Sequence, residues 1–257
     1  MGKLRERRKR SRCQRVIKLG YIDRNSENAN RILDASDDHL KKLDIEKNQD
    51  FYTLSVGFVG GYIEDLPDGK MKNEMFLSIE TETFDENGNS EPVTYTYETK
   101  INDNHELAGM NNRMIFNNLK IKKKLELEIQ LIEKDSGLKK QYDKFKAVSE
   151  SDTLKNGIDI AYGVPYVKLA TSLMEGVVNL FGSDHDDQVW DECPTLAIEP
   201  LDGMAYLRSG LYVIFEARNI KKGQEINAKD LIFENNKVRH KNGVTMSNYL
   251  LMSIRIK

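Results

Sequence analysis

Two acidic stretches hold the residues best suited to chemistry. Glu133, Asp135 and Asp143 follow the alternating run KKKLELEIQLI, while Glu64, Asp65, Asp68 and Glu74 crowd YIEDLPDGKMKNEMF. Acids on separate turns are what a hard cation such as calcium requires, since it takes six to eight oxygens from carboxylates and carbonyls. Residues two apart share a face of a strand, so Glu133 and Asp135 point the same way if the strand reaches that far. A second reading has the same acids in solvated turns, paired weakly with Lys134, Lys139 and Lys140. The spacing leaves both open.

Other chemistries find less support. His39, His105, His185 and His240 are scattered, with no nucleophile elbow, phosphate-binding loop or zinc helix among them. Cys193 beside Pro194 reads as a small buried or half-buried thiol. Cys13 and Cys193 form no disulfide or zinc spacing, which favours a reducing compartment. DENGNSE has Ser90 where a calcium-binding helix–loop–helix needs glycine, so it reads as a hairpin turn. SDHDDQVWDE, with Asp184, Asp186, Asp187, Asp191 and Glu192, reads as a solvated acidic connection rather than a divalent-ion site. The expectation is a protein without enzymatic activity.

The chain has 257 residues, 39% hydrophobic and 31% charged, enough apolar material for a core under a charged surface. Its net charge of −2 hides a basic start containing Arg5, Arg7, Arg8, Lys9, Arg10, Arg12 and Arg15. Residues 1–20 read as a flexible arm suited to an anionic membrane or nucleic acid, although no aromatic side chains are interleaved to stack on bases. No apolar segment follows the arm as a signal peptide would require. GVPYVKLATSLMEGVVNLFG is broken by Lys168 and Glu175 and is too short and polar to span a bilayer. A cytoplasmic protein, peripheral at a membrane, is the expectation.

Residues 21–50 are a polar lead-in with a short helix, capped by Ser36, in SDDHLKKLDIEK. From residue 51 the hydrophobic period becomes two, in FYTLSVGFVGGYI, EMFLSIETETF, VTYTYETKI, NRMIFNNLKI and KLELEIQLIE. Turn-forming LPDGK, DENGNSEP and NDNHELAGMNN separate these runs. The pattern predicts a mainly β protein with an antiparallel β-sandwich over 51–143. A helical connector follows over 144–191; Val167, Ala170, Leu173, Met174, Val177, Val178 and Phe181 give it one apolar face. Residues 192–257 return to strands, either as a second, smaller β portion or as strands completing the first. LDG and KNG are read as hairpin corners.

In order, LSVGFVGGYIEDLPDGKMKNEMFLSI, YETKINDNHELAGMNNRMIF and LELEIQLIEKD resemble a C2 domain: an apolar strand, a D-x-x-G loop, a Thr-Lys strand, an asparagine-rich loop, then an acid-terminated strand. The resemblance covers residues 51–143 and implies a C2-like sandwich whose first and third loops bind calcium and dock on anionic phospholipid. It places Asp65 or Asp68 at the first-loop aspartate, Glu133 and Asp135 at the paired acids, and Asp143 at the trailing acid. The chain departs from the family in having Asn73-Glu74-Met75-Phe76 after the first loop and a glutamate as the first paired acid. C2-like sandwiches without calcium ligands act as protein-binding or structural modules. EARNIKKGQEINAKDLI is similar to the start of a SAF domain at Ile220, Gly223, Ile226, Asp230 and Leu231, but the expected continuation is lacking, and a turn between strands is the favoured reading.

The functional expectation is a non-enzymatic, C2-like binding module that docks on a membrane surface or a protein partner, with calcium as the candidate cation. One alternative is a structural or assembly protein, such as a virus or phage component, whose basic arm touches nucleic acid or neighbouring subunits in a homo-oligomer. The other is a membrane-active toxin or immunity effector that uses the apolar 158–181 segment.

Overall fold

The structure, a computed structural model, describes residues 17–22, 30–43, 45, 49–64, 74–101, 105–107, 113–133, 188–201, 203–219, 224–243, 246 and 248–257. Arg5 to Arg15 of the arm, Asp65, Asp68, Asp135, Asp143 and residues 144–187 of the expected helical connector lie outside these residues.

The period-two segments form strands. They are β1 (Ile17–Ile22), β2 (Leu33–Asp34), β3 (Tyr52–Tyr62), β4 (Glu74–Phe84), β5 (Ser90–Lys100) and β6 (Arg113–Ile121). Then come β7 (Lys124–Glu126), β8 (Glu128–Glu133), β9 (Gln188–Glu192), β10 (Thr195–Ala197), β11 (Ala205–Tyr206) and β12 (Gly210–Glu216). The last are β13 (Arg218–Asn219), β14 (Gln224–Glu225), β15 (Leu231–Glu234), β16 (Lys237–His240) and β17 (Tyr249–Ile256). A six-stranded antiparallel sheet has the order β2-β1-β12-β17-β3-β6, and a four-stranded one β5-β4-β8-β9. The fold is mainly β and antiparallel, as the alternation predicts.

The core follows from the same alternation. Leu54, Val56, Phe58 and Phe116 of the large sheet share a buried cluster with Leu77, Ile79, Ile129 and Leu131 of the smaller one. Along β12, Tyr212 and Ile214 enter that cluster, whereas Leu211, Val213 and Phe215 enter a second on the opposite face. The second cluster is closed by Ile226, Leu231, Phe233 and Val238, so Ile226 and Leu231 of the SAF-like stretch pack there. With both faces covered, β12 reads as the continuous apolar run LYVIF. Each such side chain contributes about 1.5–3 kcal/mol on full burial.

Residues after 192 therefore do three things, the first being a three-stranded sheet of β10 and β11 with β7. β12 and β17 complete the large sheet, while β13 with β14 and β15 with β16 form small hairpins. The large sheet also begins earlier than composition suggests, because Ile17–Ile22, inside the segment read as arm and lead-in, pairs along β12. Gln188–Glu192, read as an acidic connection, is an edge strand on β8.

Local details refine other readings. The helix is 3-10, over Asp38–Lys42, and its cap is Asp37, whose carboxylate accepts from the His39 amide; the Ser36 hydroxyl instead donates to Asp34. DENGNSE is indeed a hairpin turn. The Asp85 carboxylate accepts from the Asn89 amide and side chain at 2.8 and 3.0 Å, and Gly88 takes φ +80°. Those hydrogen bonds hold the Asp85 pKa below its usual value. LDG and KNG are not hairpin corners: β10 and β11 are parallel, and β16 does not pair with β17. The β15–β16 corner is Asn235-Asn236, both at positive φ, which asparagine tolerates.

Three tyrosines lie deep in these layers. Burial pushes the phenols of Tyr95, Tyr212 and Tyr249 above the ordinary tyrosine range. All are neutral in both states below about pH 10, so they leave stability unchanged there. Above it the unfolded chain ionises first, and stability falls. Urea midpoints measured from pH 8 to 11 are expected to hold to about pH 10 and then drop, and Tyr212→Phe should flatten that drop.

Candidate binding site at the strand ends

The acidic stretches matter because of where the strands stop. β3 ends at Tyr62, opposite Tyr249, the first residue of β17. β12 ends at Glu216, opposite Ile17, the first residue of β1. In the other sheet β8 ends at Glu133, opposite Met75, next to Glu74 at the start of β4. Residues 105–107 join the two sets of ends, through bridges from Glu106 to Tyr62 and from Leu107 to Ile101. The Ile63 amide donates to His105 O at 2.8 Å and the Leu107 amide to Gly61 O at 3.1 Å. Arg113, opening β6, sits 4.2 Å from the ring centre of Tyr97 near the close of β5.

One end of the molecule thus gathers the exit of β3, the entry of β4 and the exit of β8. The stretch 65–73 with Asp65 and Asp68 spans the first two, and Asp135 and Asp143 lie beyond the third. The chain also enters the large sheet at this end, at Ile17, directly after the basic arm. Of the acids in the two stretches, Glu64, Glu74 and Glu133 have described backbone positions.

A polar and aromatic cluster supports these ends. Tyr62 stacks on Tyr249, with ring centres 5.7 Å apart and planes 16° from parallel, and lies 5.8 Å from His105. The Tyr62 hydroxyl donates to Glu64, and Glu106 pairs with Lys237. His105 adopts φ +62°, a left-handed conformation uncommon for a side-chain-bearing residue, with its Nδ1 2.9 Å from Ile63 O. Beneath them Glu216, 3% exposed, accepts from Asn248 Nδ2 at 3.0 Å, while Asn248 Oδ1 accepts from the Glu64 amide at 2.7 Å. A buried carboxylate held this way fixes the backbone from which Glu64 and the following acids depart.

Glu216 and Asn248 escape a search for exposed acids. Their signal is a carboxylate closing an otherwise apolar strand, LYVIFE, since burying a charge demands a partner. Among the described residues no group of three or more histidine, cysteine or acidic side chains forms a metal cage. Among them, too, no helix is long and apolar enough to cross a membrane. No family model, no curated protein and no solved structure matches this chain. What the fold and the strand ends define is a class: a mainly antiparallel β protein in which the exits of β3 and β8 and the entry of β4 share one end.

Proposed function

We propose that this protein is a non-enzymatic binding module whose acidic strand ends take calcium and, with the basic arm, dock on an anionic membrane surface. The observation that carries the reading is the register: Tyr62, Glu74, Glu133 and Ile17 stand at the same end of the two sheets. Acids from two sequence-distant stretches and the attachment point of the arm therefore meet one surface. Calcium bound there would neutralise the acids and bridge them to lipid phosphates, and the arm's cations would add roughly 1 kcal/mol each near the surface. The C2-like motif order, read on the sequence, points the same way.

Sedimentation with phosphatidylserine-containing vesicles tests this. Pelleting is expected with calcium and not with excess chelator, and Asp65→Asn with Asp68→Asn should reduce it about ten-fold or more. Equal pelleting with and without calcium would remove the cation from the account, and none under either condition would remove the membrane.

A further inference from the structure

A second charged surface lies at the opposite end, independent of the site above. β6 runs into a bend at Lys122 and Lys123 and continues as β7 from Lys124, so four of residues 120–124 are lysine. Phe51 precedes β3 and Phe84 closes β4, and their rings meet beneath the bend with centres 5.7 Å apart. Lys120 Nζ lies 4.3 Å from the Phe51 ring centre, and Lys122 Nζ 4.7 Å from that of Phe84. Lys257 extends the row, its amide donating to Thr53 O beside Lys120.

Of these cations, Lys120, Lys122 and Lys123 pair with no carboxylate among the described residues. Lys124 pairs with Glu126 at 2.6 Å, and the Asp85 carboxylate is taken by Asn89. Lys120 Nζ donates only to a backbone carbonyl, Asp85 O at 3.3 Å, and among the described residues no carboxylate pairs with Lys120, Lys122 or Lys123. The rings hold two ammonium groups by cation–π contact, so less side-chain freedom remains to be lost on binding.

We infer that the Lys120–Lys124 corner binds the phosphodiester backbone of single-stranded nucleic acid. Lys120 and Lys122 are two residues apart, about 6.6 Å along a strand, forming a narrow row of cations rather than a broad face. Among the described residues no helix lies at the corner to enter a duplex groove. The half-buried rings carry ammonium groups on their faces, which leaves no apolar wedge for a bilayer. The corner also points away from the strand ends proposed to meet a membrane.

The test is fluorescence anisotropy of a labelled dT 20-mer with the full-length protein between 50 and 200 mM salt. Lys122→Gln with Lys123→Gln, both exposed, should weaken binding about ten-fold and reduce the salt slope by about 1.4, or 0.7 per lysine removed. A variant with glutamine at Arg5, Arg7, Arg8, Arg10, Arg12 and Arg15 separates the arm and should still lose affinity when the two lysine changes are added. Three results would overturn the inference: no binding at 50 mM salt, binding unchanged by the lysine substitutions, or equal binding of a 20-base-pair duplex. Loss of phosphatidylserine vesicle binding, but not of oligonucleotide binding, in the double variant would assign the corner to lipid instead.

Discussion

Arg208→Ala is expected to destabilise the fold by about 3–5 kcal/mol, the largest effect of any change considered. Arg208 is 2% exposed and precedes β12. Its Nε donates to Leu40 O at 2.7 Å, and its Nη1 to Ile198 O at 3.0 Å and Leu207 O at 2.7 Å. One side chain thereby ties the 3-10 helix, the segment after β10 and the entry to β12. The guanidinium also lies 5.0 Å from the Tyr206 ring centre. Burial holds its pKa below the usual arginine range, although arginine stays charged.

Two effects compete at this position. Removing a buried cation relieves its desolvation, but it orphans Ile198 O and Leu207 O at about 1–3 kcal/mol each and takes one of two donors from Leu40 O, so loss dominates. Arg208→Met separates the two, since methionine keeps much of the volume without the donors. A urea midpoint well below wild type in both variants, with melting about 8–15 °C lower in Arg208→Ala, is the expected result. A neutral Arg208→Met would show that the carbonyl contacts contribute little.

Gly210→Ala should cost about 2–3 kcal/mol through overpacking. A Cβ there would fall 2.5–2.7 Å from two ring carbons and the hydroxyl oxygen of Tyr21. That ring cannot yield, because it packs edge-on against Tyr212 at 5.2 Å and its hydroxyl donates to Ser209 O at 2.7 Å. Tyr212 is pinned in turn, its hydroxyl accepting from the Arg208 amide at 2.7 Å and donating to Tyr206 O at 2.8 Å. The reciprocal variant Tyr21→Ala should make Gly210→Ala nearly neutral in the double mutant. If the two costs simply add, the contact is not what limits residue 210.

Much of this architecture was legible before any coordinates. KLELEIQLIE alternates because only one face is buried, whereas in FYTLSVGFVGGYI the second face is buried as well, with Val59 in the other cluster. What stayed hidden depends on distant partners. IKLGYI straddles the segments read as basic arm and polar lead-in, and Lys18 interrupts its apolar pattern, yet Lys18 bonds Glu225 and Asn227 while the strand pairs with β12, some two hundred residues away. QVWDE looked like a solvated connection because acidity marks exposure, and an edge strand is half exposed. Asn235-Asn236 carried a hairpin signal that the more familiar glycine turns overshadowed.

The candidate site divides in the same way. Glu64 and Glu133 could be found as acids beside strands, and the ladder brings those strand ends to one end of the molecule. The support beneath them, Glu216 with Asn248, could not, because the pairing of two buried polar groups 32 residues apart exists only in the fold.

The central claim, that the acid-rich end takes a divalent cation, is tested most directly by calorimetric titration of calcium into wild type and Asp135→Asn. Heat of binding saturating by about 1 mM calcium in wild type, and weakened at least ten-fold in the variant, is the predicted result. No heat from wild type at that concentration, or identical isotherms for the two proteins, would contradict it.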